Sequence, residues 1–436
     1  MNSGNTKTIK KRAHPAFFVP SLYFAEGLPN VTVTMVAAVM LKNFGVSNDV
    51  ITHYVGPMWI AWMVKPFWAP FVDIIRTKKG WAVLMQFLMA ISLGSLAMSL
   101  NVEVNLRYIF AFLWVTAFLS ATHDIAADGV YLLAMNKSEQ RKWVGVQSMF
   151  WMGSQILATG ALMRLSGYLH DEKSMTWVES WIIVISVIAG IILFLSLWHQ
   201  FILPKDPPIE KEKLNFVLVA RETRAAWIDF FKKPRIGMMI AFVLLYRLGE
   251  AQLQQIGPLF MIDKLEAGGL GLSNQLLGDI NGSYGTAAMV IGALLGGFWV
   301  SKLGLNRKSM ILLILSLNLP NLTYMFLSTL QPETHGIIYL FVIIEKFGAG
   351  LGEVGLMIYI MQQIAPGKFQ TSHFAIGTGF MATAMFLAST FSGDIQMTLG
   401  YTHYFLMVTI VTIPSFIIAW VAPYPSATAQ TEQSEI

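Results

Sequence analysis

The feature that most constrains this chain is a repeated pattern: apolar runs of about 20 residues, each bounded by charged or turn residues. That length is what an α-helix needs to cross the hydrocarbon core of a bilayer, where every backbone polar group must be satisfied within the segment. Twelve such runs are readable, over residues 16–41, 50–73, 80–100, 106–135, 142–168, 177–202, 236–262, 276–301, 308–330, 336–363, 371–395 and 401–422. Charged residues make up 13% of the 436-residue chain, about half the share of a soluble domain. They are too few to cover a water-exposed surface. With no cysteine in the sequence, a disulfide scaffold, a thiolate metal site and a cysteine nucleophile are excluded. The first run, behind Lys7, Lys10, Lys11 and Arg12, is long enough for a full span and reads as a retained helix, not a cleaved leader.

Charge placement orients these helices. With a cytoplasmic N-terminus, 22 of the 30 Lys and Arg fall in alternate, inner segments, and only Lys42, Arg107, Lys173 and Lys264 fall in outer loops. This asymmetry is the positive-inside signal, and it places both termini in the cytoplasm. The longest polar segment follows the sixth run and divides the chain in half. The expected organisation is an all-α polytopic membrane protein of twelve transmembrane helices in two six-helix bundles: residues 1–202, a cytoplasmic linker at 203–235, residues 236–422, and a disordered tail at 423–436. Aromatic and basic residues cluster in "LNFVLVARETRAAWIDFFKK" within the linker, which suits an amphipathic helix on the membrane surface or a solvated one. Paired bundles of this kind suit a transporter with its site at the midplane between the halves.

Charged residues inside spans are expensive to bury and are therefore functional candidates. They are Glu26, Lys65, Asp124, Asp128, Arg164, Arg247, Glu250, Glu345, Lys346 and Glu353. Asp124 and Asp128 are four residues apart, on one helical face and about 6 Å different in depth. Asp124 suits a carboxylate that takes and releases a proton, whereas Asp128 suits either that role or an ion pair with Arg141, Lys142 or another cytoplasmic base. Arg247 and Glu250, three apart, share a face and can pair. Gly27 and Pro29 beside Glu26 predict a broken or kinked first helix. "GAGLGEVG" (Gly348 to Gly355) matches a glycine-rich dinucleotide fingerprint, but it sits inside an apolar span with no strand before it. There Gly348 and Gly352 suit close helix packing. No nucleophile elbow, HExxH pair, phosphate loop or zinc spacing appears, so neither an enzyme nor a cofactor or metal site is expected, and nothing points to nucleic acid.

Four stretches carry a resemblance. "SATHDIAADGVY" with its downstream "NKSEQRKWVGVQSMFWMGSQI", "KPFWAP" (Lys65 to Pro70), "LYRLGEA" (Leu245 to Ala251) and the helix-ten region ending at Phe369 and Phe374 resemble the AmpG-type muropeptide permeases. That branch of the major facilitator superfamily also holds the acetyl-CoA transporters. The turns "APFVDIIRTKKGW" and "GGFWVSKLGLNRKSM" resemble the superfamily's cytoplasmic loop motif, with Ser301 in place of the usual acid in the second copy. The resemblance implies proton-driven symport across the bacterial inner membrane by a monomer, with an anhydro-muropeptide from peptidoglycan recycling as cargo. It implies charge pairs in the loops of Asp73, Arg76, Arg307 and Lys308 that help hold one gated state. On this reading Asp124, Glu250 and Asp128 couple protons, and Glu26, Lys65, His123, Arg247 and Glu353 meet substrate between helices one, four, seven and ten. Arg247 or Lys65 would face a cargo carboxylate. His123 stands where the branch pattern is broken, and Glu353 where small or polar residues are common. These departures leave room for another saccharide, peptide, siderophore or acyl-CoA-like cargo. A membrane enzyme or a non-transporting sensor is the reading from a different class.

Overall fold

The computed structural model describes residues 14–102, 104–205 and 216–424. Among them every regular element is helical. Eight stretches are long and apolar enough to cross a membrane. One of these, Gln370–Val421, is two helices joined at Gly400, whose φ of 70° only glycine adopts without strain. The second, fifth and tenth helices are as long, but they carry charged residues, and the second also prolines, within their apolar runs. The chain therefore forms twelve long helices: Pro15–Asn43 (α1), 48–75 (α2), Lys78–Val102 (α3), Leu106–Ala134 (α4), 137–171 (α5), Trp177–Ile202 (α6), Ile236–Ile262 (α7), Asn274–Leu303 (α8), Arg307–Leu330 (α9), 335–364 (α10), 370–399 (α11) and 401–421 (α12). An even number returns the chain to the face on which it began, called here the terminal face. Between α6 and α7, Phe216–Phe231 is a helix. The N-terminal basic cluster, residues 206–215 of the linker and residues 425–436 of the tail lie outside the described residues.

The expected break beside Glu26 does not occur. α1 stays helical through Gly27 and Pro29 and then widens into a π-type turn at Thr32–Val36. The hydroxyls of Thr32 and Thr34 donate to the carbonyls of Leu28 and Asn30, which helps absorb the irregularity. Gly27 serves packing instead: a Cβ there would fall 2.2 Å from Ser154 Oγ and 2.9 Å from the Trp151 carbonyl of α5. The break lies in α7. Arg247, at φ −110° and ψ 16°, separates Ile236–Tyr246 from Leu248–Ile262.

Glycine governs how the halves meet. A Cβ on Gly282 of α8 would lie 2.0 Å from the Thr159 carbonyl of α5, and one on Gly393 of α11 would lie 2.3 Å from the Asn48 carbonyl of α2. Backbones of opposite halves thus touch along two seams, α5 with α8 and α2 with α11. At the first seam both helices are in π-type turns, Ile156–Leu162 and Gly278–Gly285. Within the second half, Gly348 and Gly352 meet the carbonyls of Ser316 and Leu313 on α9, and Gly350 meets that of Met289 on α8. The linker helix lies across both halves on the terminal face. Trp227 stacks on Phe67 of α2 at 4.9 Å, and Ala226 accepts from His373 of α11 at 3.2 Å.

Candidate functional site

A cavity of about 420 Å³ opens between the halves. Side chains of α1, α2, α4, α5, α7, α8, α10 and α11 line it, and none of α3, α6, α9 or α12 does. The third, sixth and ninth helices sit outside it, and their buried polar side chains, such as Gln86 and His199, bond within the bundles instead. Helices one, four, seven and ten contribute as expected, and the two seam pairs complete the wall.

The acidic and basic candidates gather into two clusters. In the first half, Lys65 of α2 forms an ion pair with Asp124 of α4. One turn along α4, Asp128 accepts a hydrogen bond from the Tyr23 hydroxyl at 3.0 Å. Of the bases near the terminal face, Lys78 acts on this carboxylate, and the Arg141 side chain is not among those described. Glu26 lies beside Asp124, within side-chain hydrogen-bonding reach, and its Oε2 is buried without a hydrogen-bond partner. In the second half, Arg247 Nη1 meets Glu353 Oε1 of α10 at 2.5 Å. The expected pairing of Arg247 with Glu250 is absent because the break at Arg247 removes the regular helical offset between them. Lys346 pairs with the adjacent Glu345 at 3.2 Å. Glu250 stands in the first turn of the second segment of α7, at the positive end of its dipole, and its Oε2 is buried without a hydrogen-bond partner.

Glu26, Lys65, Asp124, Asp128, Arg247, Glu250, Lys346 and Glu353 all line the cavity. His123 does not. One residue from Asp124, its ring turns away into the first bundle, fully buried, with Nε2 at 2.8 Å from Gln86 Nε2. The Gln86 Oε1 continues to His199 Nδ1 at 2.9 Å, and His199 Nε2 to Ser21 Oγ at 2.9 Å. A step of 100° along the helix separates the two residues. The expectation that His123 touches cargo is corrected accordingly. So is the expectation of a base free to meet a cargo carboxylate, since Lys65 and Arg247 are both engaged by acids.

The loop candidates are described only in part. Arg307 lies over the Trp420 ring at 5.0 Å, and Lys308 is exposed in the first turn of α9, where Asn306 caps the helix. Arg76 is exposed at the end of α2, and the Asp73 side chain is not among those described. Among the described residues none of Arg76, Arg307 and Lys308 forms an ion pair across the halves. Pairs that do cross lie on the opposite face. Lys42 of α1 meets Asp263 after α7 at 2.8 Å, and Tyr401 of α12 donates to the same carboxylate at 2.8 Å. Asn48 of α2 donates to Gln396 at 2.7 Å and Tyr401 at 2.8 Å, Asn274 donates to Asn43 at 2.7 Å, and Arg164 pairs with Asp279. Nothing in the sequence marks this network, because outer-loop Asn and Lys carry no pattern that distinguishes them from solvated residues.

The arrangement is a polar chamber between two bundles that are tied together at one face. The profile of the Major Facilitator Superfamily matches residues 21–393. The chain belongs to that superfamily. It is 25% identical over 415 residues to the putative transporter AmpG 4 of Rickettsia conorii, covering 91% of this chain and 94% of the relative. It is 22% identical over 408 residues to the anhydromuropeptide permease of Escherichia coli K12, covering 91% and 77%. Among solved structures, a bacterial homologue of the human lysosomal transporter Spinster aligns with a TM-score of 0.71 at 13% identity, covering 95% of this chain and 96% of that one. The D-xylose–proton symporter aligns at 0.67 and 12% identity, covering 94% and 97%. These likenesses establish the fold. With the family they make the chain a multi-pass membrane transport protein for a small molecule, and not an enzyme.

Proposed function

We propose that this superfamily member is a proton-coupled importer of the inner membrane of a bacterium, acting as a monomer with both termini in the cytoplasm. Its cargo is an anhydro-muropeptide or a related saccharide–peptide fragment. The names borne by the relatives support the cargo class, and the placement of basic residues supports the orientation. Residues 1–202 and 236–422 are the bodies that rock about the cavity. In this orientation the network around Asp263 closes the outer side.

One observation carries the coupling: a buried, cavity-lining carboxylate oxygen of Glu250 without a partner. An uncompensated charge away from water costs several kcal/mol, and binding a proton removes that cost. Glu250 is therefore the acid we assign to the proton. Asp124 takes part through Lys65, whose ion pair must loosen when the first half moves, and Asp128 steadies α1 through Tyr23. Arg247 and Glu353 set the polarity of the second wall.

The test uses protein reconstituted in liposomes with a labelled anhydro-muropeptide. Glu250→Gln abolishes accumulation driven by a pH gradient and leaves exchange of internal for external cargo running. If the variant accumulates cargo like the native protein, Glu250 is not the coupling site.

A further inference from the structure

The charges on the cavity wall are unbalanced, and the imbalance is concentrated in the first half. Glu26, Asp124 and Asp128 face one base, Lys65, which Asp124 already holds. Among the described residues, the hydrogen bond given to Asp128 by a side chain comes from a neutral phenol, that of Tyr23. Glu26 is about nine-tenths buried, its Oε2 has no hydrogen-bond partner, and among the described residues no first-half base besides Lys65 lines the cavity. Even a proton shared between the neighbouring Glu26 and Asp124 leaves the charge of Asp128 over. A further base, Lys78, packs its stem over Gly129 and acts on Asp128 from outside the cavity, whose wall it does not line.

An anionic group has no counterpart here. Arg247 is taken by Glu353 and Lys346 by Glu345, so a cargo carboxylate would have to displace a carboxylate already in place. A cationic group needs no displacement. It gains two carboxylates, the amides of Asn30 and Gln147 as acceptors, and the indole of Trp151 on the same wall, whose face attracts an ammonium. A buried charge is tolerated when it is paired and hydrogen-bonded, and an ammonium with three donors can satisfy Glu26 and Asp128 together.

We propose that the cargo carries a protonated amine and that this amine, not a carboxylate, is what the first half recognises, seated between Glu26 and Asp128. The inference rests on the transporter reading and narrows its substrate class to amine-bearing saccharides or peptides. A cargo with acidic groups as well keeps those away from this wall.

Binding is measured on the purified full-length protein at pH 6 with no gradient, so a failure of proton coupling leaves the result intact. Two matched probe pairs are used: chitobiose with its diacetylated form, and alanyl-lysine with its doubly N-acetylated form. The amine-bearing member of at least one pair binds about tenfold or more tighter, equivalent to roughly 1.4 kcal/mol. Glu26→Gln and Asp128→Asn each erase that preference, and melting in detergent at the native temperature shows that the variants are folded. The proposal is overturned if the acetylated member binds equally well, if the preference survives in both variants, or if the protein holds no member of either pair.

Discussion

Lys65 and Asp124 show how narrowly the interior of this protein is balanced. Their side chains are 19% and 14% exposed, and each is tolerable mainly because the other is there. Removing one partner of such a pair leaves an uncompensated charge, at a penalty of about 3 kcal/mol. Lys65→Met should therefore lower the thermal stability of the purified protein sharply. Adding Asp124→Leu to it should restore most of the loss, and transport should fail in both. A double variant no more stable than the single one would mean that the pair is not a unit. Much of this was legible in the sequence, because ionisable residues inside apolar runs are conspicuous; eight of the ten charged residues read within spans line the cavity. Their partners were not legible. Arg247 and Glu250 have the right spacing to pair, yet a backbone break at Arg247 gives the guanidinium to Glu353 on another helix. His123 attracted notice by its identity, but its direction is set by packing against Gln86 and His199, which no local pattern encodes.

At the scale of elements, α7 and the two seams decide what moves. Gly27 and Pro29 suggested a break or kink in α1, which stays helical past them and widens into a π-type turn, while α7 breaks at an arginine that carries no such signal. The seam glycines were equally silent, because a small residue in an apolar run has many possible uses. Their role is testable. Gly282→Val places side-chain atoms against the Thr159 carbonyl and should destabilise the protein by about 1–3 kcal/mol, as overpacking does. Melting in detergent unchanged from the native protein would count against close contact of α5 and α8 there. The network on the face opposite the termini gives a second test. With no native cysteine in the chain, Asn43→Cys with Asn274→Cys can be joined by a short bifunctional thiol reagent, because the native side chains approach to 2.7 Å. Cross-linked protein should bind cargo from the terminal face but not complete transport. Undiminished uptake after complete cross-linking would show that this face does not open. Asp263→Asn, which weakens the hub that Lys42 and Tyr401 share, should make the same positions more reactive to thiol labels.

For the whole molecule, the alternation of apolar runs and basic turns was enough to indicate twelve helices in two halves, since a bilayer permits few other arrangements of such a chain. The structure adds which face is tied shut and how the charges of the two halves differ. The second half pairs two bases with two acids and leaves Glu250 over, while the first half sets one base against three acids. That asymmetry divides the labour between proton and cargo, and it is the core of the account. The most direct test is cargo accumulation in liposomes containing the purified protein. A labelled anhydro-muropeptide is supplied outside under an inwardly directed proton gradient, with and without an uncoupler. The account predicts concentrative uptake that collapses with the uncoupler and is absent in Glu250→Gln. Uptake that ignores both the gradient and Glu250 would contradict it.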